Sequence, residues 1–310
     1  LTGPAIAVTG ATGFIGRHLC VRLLESGYRV RILARNPLMS RPLVSRGASL
    51  VGGDLGDARA LQKLVSGCSV VIHAAGAVRG NSQQAFDTVN VAGTSGLLDA
   101  VNTQDFPPRL LLISSLAARE PGLSWYARSK REAEERLQRV SKLDWVILRP
   151  PAVYGPGDRE MLPVFQLMSR GIALVPGPST ARVSLIHVDD LTEAILRCIA
   201  TPATRGQLLT ACDGKPGGYD WLELSAIAGS VWSRPVRPLE VPSRLLDYLA
   251  RMNVGVSRVT GRAAMLTPAK LRELRHPDWV TDNRVITETT GWLPKIGLHE
   301  GLNDLQIRAK

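Results

Sequence analysis

Short apolar runs punctuate the first half of the chain, each followed by a stretch whose apolar positions recur every third or fourth residue. Ala5-Ile6-Ala7-Val8, residues 28–33, the run ending Val51-Gly52-Gly53-Asp54-Leu55, Val70-Val71-Ile72-His73-Ala74-Ala75-Gly76 and Leu110-Leu111-Leu112-Ile113 are too short for helices and read as strands. Helical spacing fills the gaps between them: residues 17–26, closed by Gly27, a segment through Leu61 and Leu64, one from near Asp87, and one from Tyr126 to about residue 140. This alternation predicts an α/β fold with a doubly wound parallel sheet wrapped by helices. After Thr201 the pattern changes. A turn at Pro216-Gly217-Gly218 is followed by helices over 220–231 and 242–252, and a last helical segment at Lys270-Leu271-Arg272-Glu273-Leu274. Leu245, Leu246 and Leu249 share one face of the 242–252 helix and are expected to pack over a substrate pocket.

Composition narrows the class. With 310 residues and 45% apolar content the chain is globular, either one large domain or a main domain with a cap. No apolar run approaches the roughly 18 residues of a membrane span, and the start of the chain lacks the pattern of a secretory leader. A basic amphipathic stretch between 252 and 274 leaves only peripheral contact with a membrane surface open. Cys20, Cys68, Cys198 and Cys212 are scattered, without metal-ligand spacing or a disulfide framework, so no metal is expected and a reducing cytoplasm is. Net charge is +11. The basic residues are spread singly among acids without interleaved aromatics, which argues against a nucleic-acid surface and leaves attraction for an anionic cofactor.

Candidate chemistry falls where the predicted strands end. Thr9-Gly10-Ala11-Thr12-Gly13-Phe14-Ile15-Gly16 lies between a strand and a helix. There Gly10 permits a tight turn, Gly13 admits a pyrophosphate to backbone N–H groups, and Gly16 lets helix and strand pack closely. The next strand ends in Ala34-Arg35 where an NAD site usually carries an acid; an Arg pairs with a 2'-phosphate, so NADP is favoured over NAD. Ala74, Ala75 and Gly76 leave room for a bound nucleotide. Tyr126 and Lys130 are four apart on a helix and project from one face, so the ammonium can lower the phenol's pKa toward acid/base work.

Seven ordered motifs resemble the extended short-chain dehydrogenase/reductase family, the NAD(P)-dependent epimerase/dehydratase group. They are Thr9-Gly10-x-x-Gly13-x-x-Gly16, Asp54-Leu55, Asn90-x-x-Gly93-Thr94, Ser114-Ser115, Tyr126-x-x-x-Lys130, the run from Arg149-Pro150 through Val153-Tyr154-Gly155-Pro156-Gly157, and His187-Val188-Asp189-Asp190. The resemblance implies Tyr126 as acid/base, Lys130 as its pKa-lowering partner and ribose contact, and Ser115 on the reacting oxygen, with exchange between Ser114 and Ser115 open. It places Gly10, Thr12, Gly13, Phe14, Ile15, Gly16, Arg35, Asp54, Leu55, Ala74, Ala75, Gly76, Asn90, Lys130, Pro150 and Val153 around NAD(P). It also implies a nucleotide-binding domain over 1–155 and about 182–212, and a substrate cap over about 156–181 and 213–310.

Three departures bear on the substrate. Only Leu116 to Trp125 separates Ser115 from Tyr126, Pro150-Pro151 stands where nucleotide-sugar enzymes carry an Asn, and Val183 replaces an expected Arg, with Arg182 the nearest. The short segment leaves that side open or covered by the C-terminal region. The other two favour hydride transfer to or from the carbonyl or secondary alcohol of a small molecule over a nucleotide-sugar epimerase or dehydratase. A non-catalytic NADP-binding sensor or assembly protein is the third reading, and the intact Ser115, Tyr126 and Lys130 count against it. His187 is expected to be architectural. The family's dimer contacts correspond here to helices at 90–100 and 126–140, which makes a homodimer a candidate assembly.

Overall fold

The computed structural model describes residues 3–140, 142–260, 266–305 and 307. Its centre is a parallel sheet of β1 (Ala5–Thr9), β2 (Arg29–Ala34), β3 (Ser49–Gly52), β4 (Val70–His73), β5 (Arg109–Ile113), β6 (Trp145–Arg149) and the Gln207–Thr210 strand. The spatial order is β3-β2-β1-β4-β5-β6 and then Gln207–Thr210. The chain runs outward from β1 to β3, then returns to β4 on the other side of β1. That reversal opens a crevice at the C-terminal ends of β1 and β4, where ligands bind in sheets of this kind.

Both faces of the sheet are buried. Because successive side chains in a strand point to opposite faces, Ile6 and Val8 of β1 join one core and Ala5 and Ala7 the other. The first core packs Leu19 and Leu23 of α1 (Phe14–Glu25), with Leu191 and Ile195 of the Val188–Ala200 helix, onto the strands. On the opposite face stand Leu61 and Leu64 of the Ala58–Val65 helix, Leu97 and Val101 of Gly93–Asn102, and Leu137 of Trp125–Gln138.

A third apolar cluster lies away from the sheet and includes Tyr154, Phe165, Leu185, Tyr219, Leu224 and Leu302. Three two-stranded parallel pairs frame it: Ala152–Tyr154 with Leu185–His187, Ile172–Val175 with Arg237–Glu240, and Arg182–Val183 with Asp278–Trp279. Ile286 and Trp292, late in the chain, return to the first core against the sheet. Asn283 accepts from the Cys212 N–H and donates to its carbonyl, and the Asp190 carboxylate receives the N–H groups of Lys295 and Ile296.

His187 is fully buried, accepts from the Asp189 N–H at the start of its helix, and meets the Tyr154 ring edge-on at 5.4 Å. It ties the start of the Val188–Ala200 helix to Tyr154 in the third apolar cluster. The helix predicted over 242–252 is longer, Ser243–Thr260, and two of its leucines, Leu245 and Leu249, are exposed. The inner face belongs to Asp247, Ala250 and Asn253, bound or buried against the rest of the chain.

Candidate active site

The turn after β1 is shaped for an anion. Gly10 has φ +71°, and a Cβ there would lie 2.5 Å from the Ala75 nitrogen; a Cβ on Gly16 would overlap the Gly10 carbonyl. Gly13 is different. Its missing Cβ would meet only the Gly10 oxygen, at 3.2 Å, on an exposed surface. Gly13 is also the N-cap of α1 and supplies no capping side chain, whereas the Pro37–Val44 and Ala58–Val65 helices are capped by Asn36 and Asp57. The first-turn N–H groups of α1 therefore point at an open, side-chain-free surface, a fit for the pyrophosphate of a dinucleotide. Thr12, Phe14 and Ile15 flank this surface. Thr12 offers its carbonyl to Arg17, Phe14 packs edge-on to His18, and Ile15 leans on the first core.

Beneath the turn, Thr9 Oγ1 and His73 Nδ1 are 2.6 Å apart and His73 Nε2 is 3.0 Å from Thr94 Oγ1. Burial, assisted by the nearby Lys130 charge, drops the His73 pKa to about 3, so the ring is a neutral brace between β1, β4 and the following helix.

The chain between 83 and 102 is one helical run with a wider π segment at Asp87–Ala92, and Asn90 sits in it. Asn90 is buried. Its Oδ1 accepts from the Ala77 N–H at 2.7 Å, while Nδ2 donates to the Ala77 carbonyl and to Ser129 Oγ. Both amide hydrogens are thus spent on the protein. Asn90 clamps the loop after β4 to the helix that bears Tyr126 and Lys130.

That helix, Trp125–Gln138, is capped by Ser124, whose Oγ accepts from the Ala127 N–H. Lys130 is buried and its Nζ donates to the Ile113 carbonyl at the end of β5; a Cβ on Gly76 would lie 3.0 Å from that nitrogen. Tyr126 is half-buried, with its ring 6.2 Å from that of Phe86, and Ser115 lies close enough to its hydroxyl to lower its pKa. Ser115 also caps the short helix Leu116–Arg119 by accepting from the Ala117 N–H. Ser114, by contrast, is buried and donates to Glu134 Oε1, and Arg149 holds that carboxylate by two further bonds, Nε to Oε1 and Nη2 to Oε2. Ser115 faces the tyrosine and Ser114 the interior.

The remaining candidates spread along the sheet edge. Leu55 packs where a Cβ on Gly93 would stand, and Asp54 closes a turn by accepting from the Gly56 N–H. Pro150 is buried and gives its carbonyl to Leu116, and Val153 leans on the first core. Arg35 is exposed just beyond β2, and Ala74 and Ala75 hang from Thr9 by their backbone N–H groups.

Electrostatics differ from the sequence expectation for Tyr126. Burial pushes its phenol up to about 12, nearby Ser115 pulls it down, and the Glu273 and Glu160 charges add to the rise. Burial also lowers Lys130 to about 8, against the opposing pull of Glu134. The lysine was expected to dominate. Instead, desolvation of both groups and two carboxylates keep the proton on the phenol.

Glu273 belongs to a group the sequence did not connect with the site. The Pro268–Leu274 helix lies over the start of the Tyr126 helix: Glu273 accepts from Ser124 Oγ, Lys270 Nζ sits 6.0 Å from the Tyr126 ring centre and 2.8 Å from Glu273, and Arg272 donates to the Leu123 carbonyl. Arg119 reaches the carbonyls of Asp278 and Val280. The short span between Ser115 and Tyr126 is thus covered by the C-terminal region. The spacing of residues 270–274 showed a helix, and the chain offers no local signal for where it docks.

A dinucleotide cradle with a Ser-Tyr-Lys group at one sheet edge defines an NAD(P)-dependent oxidoreductase. Residues 6–208 match the NAD dependent epimerase/dehydratase family, and the chain belongs to that family. It is 36% identical over 296 residues to a ceramide reductase of Caulobacter vibrioides, covering 96% of this chain and 91% of the relative. It is 27% identical to a UDP-glucose 4-epimerase of Vibrio cholerae, covering 96% and 93%. Its fold matches a Bacillus cereus UDP-glucuronic acid 4-epimerase solved with UDP-glucuronic acid and NAD, with a TM-score of 0.75, 20% identity and 97% of each chain covered.

Proposed function

We propose that the protein is an NADP-dependent reductase acting on the carbonyl of a ceramide-type lipid, with Tyr126 as the proton donor. The observation that carries the direction is the likeness to a ceramide reductase over nearly the whole chain; burial, Glu273 and Glu160 raise the Tyr126 pKa and so favour the protonated form that reduction requires. The nicotinamide, when bound, supplies the hydride to the carbonyl carbon. Tyr126 then gives its proton to the carbonyl oxygen, Ser115 holds that oxygen by a hydrogen bond, and Lys130 holds the nicotinamide ribose beside them. One hydride and one proton make the alcohol.

The substrate class is drawn from the ceramide reductase, similar over nearly the whole chain. Arg182 supports setting nucleotide sugars aside. It donates to the Gly217 and Gly218 carbonyls and to Glu223, so its guanidinium is committed to the cap and not to a diphosphate. Arg35, exposed beyond β2 with Ala34 before it, supports NADP.

Purified protein supplied with a detergent-dispersed ceramide-type ketone is expected to consume NADPH at least about tenfold more efficiently than NADH, and Arg35→Asp to reverse the order. Conversion of UDP-glucose to its 4-epimer with no net nucleotide consumed would replace this reading with the epimerase one.

A further inference from the structure

Among the described residues, the Ser243–Thr260 helix leaves an apolar face uncovered. Leu245 is 49% exposed, Tyr248 60%, Leu249 45% and Met252 52%. At about 100° per residue these four side chains fall within an arc of about 100°, bordered on one side by exposed Arg244 and Arg251. Asp247, the helix's only acid, points to the opposite side and pairs with Arg275 at 2.8 Å. The outward surface is therefore apolar with a positive border and no carboxylate of its own. The strand that leads into the helix exposes Arg237 and Leu239 and ends in an exposed acid, Glu240.

We propose that this face docks on an anionic phospholipid bilayer. An amphipathic helix lies in the interface when its apolar arc enters the acyl boundary and its arginines meet anionic headgroups. Charge decides the occupant: an apolar arc alone fits many partners, but two bordering arginines, with the helix's single acid on the far side and paired with Arg275, complement a negative surface. The helix is also wired to the site. Arg275, which holds Asp247 and the Ser243 carbonyl, directly follows the Pro268–Leu274 helix, and Asn253 donates to the Leu266 carbonyl just before it. Docking thus sets the helix that covers Ser124 and Tyr126 at the membrane surface. Uptake of the lipid from the bilayer rests on the ceramide-type reading proposed above; docking itself does not.

The test is therefore made without substrate or nucleotide. The full chain is sedimented with vesicles of phosphatidylglycerol and phosphatidylcholine, and with vesicles of phosphatidylcholine alone, across a salt series. Preferential partition to the anionic vesicles that weakens with salt is expected. Leu249→Glu/Met252→Glu should reduce partition by on the order of tenfold or more with an unchanged melting temperature, and Arg244→Gln/Arg251→Gln should remove most of the salt dependence. Absence of wild-type partition, equal partition to neutral vesicles, or unaltered partition of both variants would overturn the proposal. A variant that partitions normally but loses turnover on detergent-dispersed ketone would also overturn it, assigning the apolar arc to the substrate cleft. Failure of the reductase reading itself shows separately, as wild-type protein that binds vesicles and reduces no ketone.

Discussion

The proposed mechanism concentrates on Tyr126, whose pKa its surroundings raise. Tyr126→Phe keeps the ring against Phe86 and removes the proton, so turnover should fall by roughly 10²- to 10⁴-fold while nucleotide affinity, read by fluorescence titration, stays within about twofold. Unchanged turnover would move the proton donor elsewhere. Glu273 raises the Tyr126 pKa through its charge, so Glu273→Gln should lower it. Reduction needs the protonated phenol and is lost as pH rises through that pKa; alcohol oxidation needs the phenolate and appears there. The variant's pH–rate profile should therefore move toward acid in both directions, with Lys130 changing charge in the adjoining range near pH 8. A profile that stays put, or moves toward base, contradicts the assigned field. The sequence showed Ser115, Tyr126 and Lys130 because their spacing on one helix and one strand end is local. It could not show that desolvation outweighs the lysine, since burial is a property of the folded surroundings. Asn90 was legible as a motif member, yet its amide serves Ala77 and Ser129, partners 13 and 39 residues away.

At the scale of elements, the glycine turn and α1 form the part most fully written in the chain. Strand, turn and helix are consecutive, so periodicity and glycine spacing sufficed to place them. The three glycines do different work, and substitution separates them. Gly16→Ala forces a methyl into the Gly10 carbonyl and should unsettle the contact of α1 with β1, lowering stability by a few kcal/mol. Gly13→Ala meets only one atom, at 3.2 Å, and should leave the melting temperature within a few degrees while weakening nucleotide binding by tenfold or more, because its methyl occupies the surface offered to the pyrophosphate. Calorimetry and nucleotide titration on the two variants check this; equal melting losses would refute the division of roles. The chain after Thr210 was harder to read. Trp221–Val231 carries its own capping box, Asp220 with Glu223, and was legible. The Ser243–Thr260 and Pro268–Leu274 helices were visible as periodicity, but which face each buries depends on Arg275, Asn253 and Ser124, contacts that no window of sequence contains.

Across the whole molecule, the sheet fixes one edge for the nucleotide and the returning C-terminal segments close the other side. Ile286 and Trp292 anchor the end of the chain to the sheet core, Asp190 holds residues 295 and 296, and the Pro268–Leu274 helix covers the tyrosine. This arrangement puts a partly covered acid at the edge of the sheet, and the account stands or falls on whether hydride leaves the nucleotide for good. The most direct measurement uses NADPH deuterated at nicotinamide C4 on the face that is transferred, together with a ceramide-type ketone, and follows the label and the nucleotide by mass. The account predicts one nucleotide oxidised per alcohol formed, deuterium on the carbinol carbon, and neither event with Tyr126→Phe. Ketone left unreduced with the NADPH intact, while protein loaded with oxidised nucleotide inverts the carbinol centre of a nucleotide sugar with no net change in the nucleotide, would contradict the account and make this chain an epimerase.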